Sequence, residues 1–168
     1  MNIIYKIAIL LIIGVVSCKE KVKNQPDILN QADSETNKVK LTDLNNKPID
    51  LGQYRGKTLF INFWATWCKP CLLEMPSIEK AQGILKNKNI VFLFASDESS
   101  EEIERFKAGH DYDFNYVRYE NPEELNITGL PTTFIFSPQG KLVFSETGYQ
   151  QWDNQNNINK ILKIAESK

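Results

Sequence analysis

Apolar residues along the chain fall into runs whose spacing predicts the elements. Residues 59–64, LFINFW, are almost unbroken in apolar character and rich in β-formers, the pattern of a strand buried on both faces. Residues 90–95, IVFLFA, repeat that pattern. Between them the spacing predicts a helix that starts at Lys69 and fades over residues 85–89, with Pro70 where a missing N–H costs nothing. Upstream, the alternating runs 39–44 and 49–51 flank the turn formers Asn45, Asn46, Lys47 and Pro48, which predicts a β-hairpin. Ser99 or Ser100, followed by acidic residues over 101–104, predicts a capped helix that reaches Ala108 and stops at Gly109. Residues 114–119 alternate as a short strand, and 122–125 read as a helical turn. Residues 132–136 and 141–144 are separated by SPQG, a second hairpin. Within 156–166, Ile158, Ile161, Leu162 and Ala165 recur at helical spacing, so a last helix has one apolar face for the sheet. A βαβ unit, a helix, a hairpin and a helix in that order predict an α/β sandwich around a mixed central sheet.

The first residues follow another pattern. Lys6 precedes an apolar run over residues 7–16, too short for the roughly 20 residues that span a bilayer but suited to a signal-peptide core. The run ends in Val15, Val16, Ser17 and Cys18, which resembles a bacterial lipobox, whose cysteine is lipidated and becomes the mature N-terminus. The alternative is an uncleaved anchor with Cys18 an incidental thiol. Residues 19–38 are polar and read as a flexible tether, with an added helix or strand near Ile28 and Leu29 as the other option. The expected division is a signal peptide over 1–17, a lipidated cysteine and tether over 18–38, and one folded domain over 39–168.

Charge changes this picture little. The net charge of −1 and the dispersed Lys and Arg residues leave no basic stripe for nucleic acid.

The cysteines carry the chemistry. Cys68 and Cys71 fall where a buried strand turns into a helix N-terminus, where free N–H groups and the helix dipole favour a thiolate. A zinc site needs about four ligands, and only Cys18 and His110 remain to complete one. A static disulfide closing so short a loop would restrict the unfolded chain little. The pair therefore reads as a redox dithiol, with no metal and no cofactor expected. Cys68, first in the motif and nearest the helix terminus, is the candidate nucleophile, and Cys71 would resolve the mixed disulfide. Lys69 either lowers the Cys68 pKa or is simply solvated. Glu74 shares a helix face with Cys71, so it either handles that thiol's proton or is a solvated surface residue. Trp67 either packs beside the thiols or belongs to the core.

The W-C-x-P-C motif behind an apolar strand, Pro76, and the Gly-Leu-Pro-Thr-Thr of residues 129–133 resemble the thioredoxin superfamily. The C-x-x-E-x-P of residues 71–76, and Asn62 where thioredoxins carry a buried Asp, resemble its membrane-anchored TlpA/ResA-like thiol–disulfide oxidoreductases. The likeness covers roughly residues 39–168. It implies a thioredoxin-like three-layer sandwich with flanking helices and an N-terminal β-hairpin. It implies a redox-active Cys68–Cys71 disulfide and an active-site role for Glu74, the favoured proton relay because Asn62 cannot replace the titrating Asp of thioredoxins. It further implies a cis Pro131 facing the dithiol, blocking metal capture and offering backbone edges to a client, with Leu130 touching substrate beside Trp67. An ordinary trans proline at a strand start is the alternative.

The function expected is that of a monomeric, lipid-anchored oxidoreductase facing the periplasm or extracytoplasmic space. Its partners would be disulfide-bearing or C-x-x-C client proteins, apocytochromes c among them, and a membrane dithiol donor that recharges the pair. Two other classes share this superfamily: peroxiredoxin-like thiol peroxidases and Sco-like copper-handling modules. Ala65, Thr66 and Trp67 before Cys68, and the local C-x-x-C in place of C-x-x-x-C, speak against both.

Overall fold

The two continuous apolar runs become the parallel centre of a seven-stranded sheet in the computed structural model, which describes residues 34–167. They are β3 (Thr58–Phe63) and β4 (Ile90–Ser96), paired with Phe60 opposite Phe92 and Asn62 opposite Phe94. The short hairpin strands β1 (Leu41–Thr42) and β2 (Pro48–Ile49), then β5 (Tyr116–Tyr119), extend the sheet on one side. On the other side stand β6 (Thr132–Phe136) and β7 (Leu142–Thr147), both antiparallel to their neighbours. The strand order β2-β1-β5-β4-β3-β6-β7 makes the sheet mixed, as the element order predicts. The fold is thioredoxin-like.

Alternation along β3 divides the core in two. Phe60 and Trp64 face a cluster with Met75, Ile78 and Leu85 of α1 (Lys69–Leu85), Ile103 and Phe106 of α2 (Ser100–Ala108), and Ile158 and Ile161 of α3 (Gln155–Ala165). Leu59, Ile61 and Phe63 face the other way, where Val39, Leu51 of the 3-10 turn Leu51–Tyr54, and Leu125 cover them. Asn62 is therefore aimed at the helical layer, a polar residue 1% exposed on a strand otherwise apolar there. That placement sets up the site.

Local chemistry explains the helix ends. Ser99, not Ser100, caps α2: its Oγ accepts the Glu102 N–H at 3.3 Å, and Glu102 Oε2 accepts the Ser99 N–H at 2.9 Å. Gly109 follows the last turn. The α1 helix runs through Pro76, which lies on its exposed side and lacks the N–H that would close on Leu72.

Residues 34–38, expected as the end of a tether, belong to the folded domain instead. A 3-10 turn at Glu35–Lys38 buries Thr36. The Glu35 N–H donates to Gly140 O at 2.9 Å, and Glu35 Oε2 accepts the Leu142 N–H at 2.9 Å. Gly140 has φ +80° and a Cβ there would collide with Ser34, so a glycine is required at this docking point. Polar composition concealed this contact because backbone groups and one carboxylate make it. Cys18, the signal peptide, and Ile28 and Leu29 lie outside the described residues. Among the described residues, no helix is long and apolar enough to cross a membrane.

Candidate active site

Beyond Phe63 the chain leaves the sheet while still tied to it, the Trp64 N–H donating to Ala95 O at 3.0 Å. It then turns back, the Cys68 N–H donating to Ala65 O at 3.1 Å, and enters α1 with Cys68 as N-cap. Cys68 Sγ accepts the Cys71 N–H at 3.3 Å, so a sulfur occupies the place a capping oxygen usually takes. Negative charge on that sulfur is favoured by the N–H and by the helix dipole. Cys68 and Cys71 are joined as a disulfide, their Cα atoms 5.3 Å apart. Cys71 is fully buried and Cys68 is 4% exposed. Trp67, beside it, is 73% exposed and no part of the core.

Glu74, one turn beyond Cys71 on the buried face of α1, is fully buried, which removes the solvated-surface option. Its Oε1 accepts Asn62 Nδ2 at 2.7 Å, and its Oε2 accepts the Gln150 N–H at 3.0 Å. Burial pushes the Glu74 carboxyl up to about 7, against the lowering effect of the Gln150 and Asn62 hydrogen bonds. Asn62 Nδ2 also donates to Thr133 Oγ1 at 3.0 Å, so the amide joins α1 to β6. Next on the helix, Ser77 Oγ donates to Glu74 O at 2.8 Å and accepts the Trp152 N–H at 3.0 Å. These bonds fasten the loop between β7 and α3 onto the active-site helix.

Pro131 precedes β6, and the Leu130–Pro131 bond is cis. Antiparallel pairing sets Thr132 opposite Phe63, so Pro131 stands at the sheet end from which the cysteine loop leaves. Its carbonyl accepts the Gly148 N–H at 2.7 Å, two residues before the backbone N–H that holds Glu74. Leu130 is half-buried and packs against the cluster that contains both cysteines. Cys68, Cys71, Glu74, Leu130 and Pro131 thus gather at one end of the sheet, with Trp67 exposed beside the first.

Two contacts have no signal in residue spacing. Gln150 reaches Glu74 through its backbone, which any residue could do. Glu98, half-buried just after β4, accepts the Thr66 N–H at 2.7 Å and the Thr66 hydroxyl at 2.6 Å, holding the residue two before Cys68.

The arrangement holds what disulfide exchange requires: a sulfur at a helix N-cap, a buried partner sulfur, and a carboxyl pushed up to about 7. Residues 32–145 match the model of the AhpC/TSA family. The chain is 33% identical over 114 residues to "Thiol-disulfide oxidoreductase ResA" of Bacillus thuringiensis subsp. konkukian, covering 66% of each chain. It is 36% identical over 112 residues to the ResA of Geobacillus thermodenitrificans, covering 64% of each, so it spans just under two thirds of these relatives. Among solved structures it resembles a DsbE-type thiol:disulfide interchange protein from Chlorobium tepidum, with TM-score 0.66 and 22% identity over 75% of this chain and 92% of that one.

Proposed function

We propose that this chain, which belongs to the AhpC/TSA family, is a thiol–disulfide oxidoreductase that reduces disulfides of client proteins. The observation that carries the reading is Cys68 Sγ at the N-cap of α1, bonded to Cys71 and accepting its N–H. The names of its ResA relatives support the same activity. In a turnover, the Cys68 thiolate attacks a client sulfur, forming a mixed disulfide and expelling the client's second sulfur as a thiolate. Cys71 then gives its proton to Glu74 and attacks Cys68, releasing the attacked client sulfur and leaving the Cys68–Cys71 disulfide, and the two client thiolates take up protons from Glu74 and water. A dithiol donor at the membrane returns two electrons and two protons to close the cycle. Trp67, Leu130 and Pro131 form the surface against which the client lies. No metal or cofactor enters these steps.

The working direction is reduction, because an oxidising envelope supplies disulfides without help. Pro70 in the dipeptide resembles reducing thioredoxins. Equilibrated with glutathione, the pair is expected near thioredoxin's roughly −270 mV rather than DsbA's roughly −120 mV. The purified chain should speed reduction of insulin by dithiothreitol. A potential at the oxidising end would reverse the direction, and rapid peroxide consumption without disulfide reduction would move the chain to the peroxidase class.

The anchor follows from the lipobox. The chain works as a monomer held by lipid on Cys18, facing clients of the cell envelope, C-x-x-C haem-attachment segments among them. Intact mass of the membrane-extracted protein should lack residues 1–17 and carry added acyl mass. A mature protein that keeps Met1 and an unmodified Cys18 would remove the anchor from this account.

A further inference from the structure

The dithiol has a neighbour that disulfide exchange as described does not use. Glu98 follows β4, and its carboxylate is turned toward the loop that carries the cysteines. Oε2 accepts the Thr66 N–H at 2.7 Å and Ser96 Oγ at 3.0 Å, while Oε1 accepts the Thr66 hydroxyl at 2.6 Å. Both donors of Thr66 therefore close on one acidic side chain. The far end is fixed as well: Arg118 Nε donates to the backbone carbonyl of Glu98 at 2.9 Å, and Arg118 Nη1 donates to Asn46 Oδ1 at 2.7 Å. This chain of bonds runs from the N-terminal hairpin through β5 to the residue two before Cys68. An apolar anchor or a neutral amide would serve to hold a loop. A carboxylate brings negative charge to the loop residue two before Cys68.

We propose that Glu98 is a positioning residue that fixes the loop before Cys68 and, by its charge, biases the dithiol toward reducing power. The inference rests on the exchange function proposed above. The N-cap N–H and the α1 dipole favour the Cys68 thiolate, and so does Lys69 at the first helical position. Glu98 opposes them. A less stable thiolate is a less stable reduced form, so the couple passes its electrons on more readily. Glu102 and Arg105 line a cleft with Thr66, Asp97 precedes Glu98 and acts with it on Tyr119, and Glu74 is buried in the helical layer. All of these stay in place when Glu98 alone is changed. Arg118 engages the Glu98 backbone carbonyl, and the carboxylate takes its hydroxyl and amide donors from Thr66 and Ser96.

The test uses the full chain and needs no client. Two thiols give two electrons and two protons to oxidised glutathione, yielding the protein disulfide and two reduced glutathiones, and the equilibrium constant is read by thiol labelling. Thiolate absorbance against pH gives the Cys68 pKa on the reduced protein. Glu98→Gln keeps an oxygen for the Thr66 N–H and amide hydrogens for the hydroxyls, but loses the charge. It is expected to lower the Cys68 pKa and shift the equilibrium about three- to tenfold toward the dithiol, tenfold being about 30 mV. Glu98→Ala should move both readings the same way, including where Glu98→Gln fails to fold. Glu98→Asp, which keeps the charge, should stay close to the parent. Unchanged readings in the variants without charge overturn the proposal. A shift in Glu98→Ala that Glu98→Gln does not share also overturns it, since a lost bond rather than lost charge would then be responsible. Absence of client reduction with these shifts intact would count against the proposed function and leave the Glu98 inference standing.

Discussion

Replacing Cys71 by serine is expected to stop turnover and leave the chain covalently attached to its client through Cys68. The two sulfurs differ in their surroundings although they lie one helical turn apart. Cys68 caps the helix through its Sγ and retains slight exposure, while Cys71 is fully buried. In the proposed turnover the first therefore meets the client, and the second acts only on the adduct. A serine hydroxyl at position 71 has neither the acidity nor the nucleophilicity to break the mixed disulfide, so the adduct persists. Steady-state reduction of a protein disulfide should fall on the order of a thousandfold or more, because two residues that act as a unit fail together. Mass spectrometry of trapped products should place the client on Cys68. Cys68→Ser should be equally inactive and trap nothing. Adducts on Cys71 in Cys68→Ser, with none in Cys71→Ser, would reverse the order of attack.

The parts of this site that lie close in sequence were legible, and those joined through space were not. The apolar run before Trp67, and Pro70 after it, set the cysteines at a strand-to-helix junction, and the N-cap geometry of Cys68 follows from that. The i, i+3 relation of Cys71 and Glu74 placed both on one helix face but could not say whether that face met solvent. Burial came from Asn62, twelve positions away in sequence, whose amide turns inward and supplies a donor. Gln150 completes the setting from a segment with no motif of its own, and Thr133 from the Gly-Leu-Pro-Thr-Thr run. Trp67 shows the opposite limit. A large aromatic beside the thiols reads equally as core or cover, and only the loop's outward path makes it surface. Residues 34–38 were misread because polar composition says little about a segment held by backbone hydrogen bonds and Glu35.

Glu74→Gln should separate the proton chemistry from the fold. In the oxidised protein the Glu74 carboxyl is pushed up to about 7 from 4.5 by burial. The folded state then binds that proton more tightly than the unfolded chain does. The group's stabilising effect is complete below the unfolded value, and it declines as pH rises until the folded value is passed. Above that point the buried charge costs on the order of 3 kcal/mol relative to the protonated form. Glutamine has nearly the shape of the protonated acid and still offers an oxygen to the Gln150 N–H. The oxidised Glu74→Gln protein should therefore unfold at the same denaturant concentration at acid and neutral pH, as far as this site is concerned. The parent should lose about 3 kcal/mol between pH 4 and pH 8 relative to the variant. In the proposed turnover the same substitution removes the acceptor for the Cys71 proton. Resolution of the mixed disulfide should slow by about 10²-fold near neutral pH and lose the rise with pH that a base of this strength imposes. Initial attack by Cys68, measured in single turnover, should change far less. The same pH dependence of unfolding in parent and variant, with an unaltered pH profile for resolution, would show that Glu74 binds its proton no more tightly folded than unfolded and serves the fold alone.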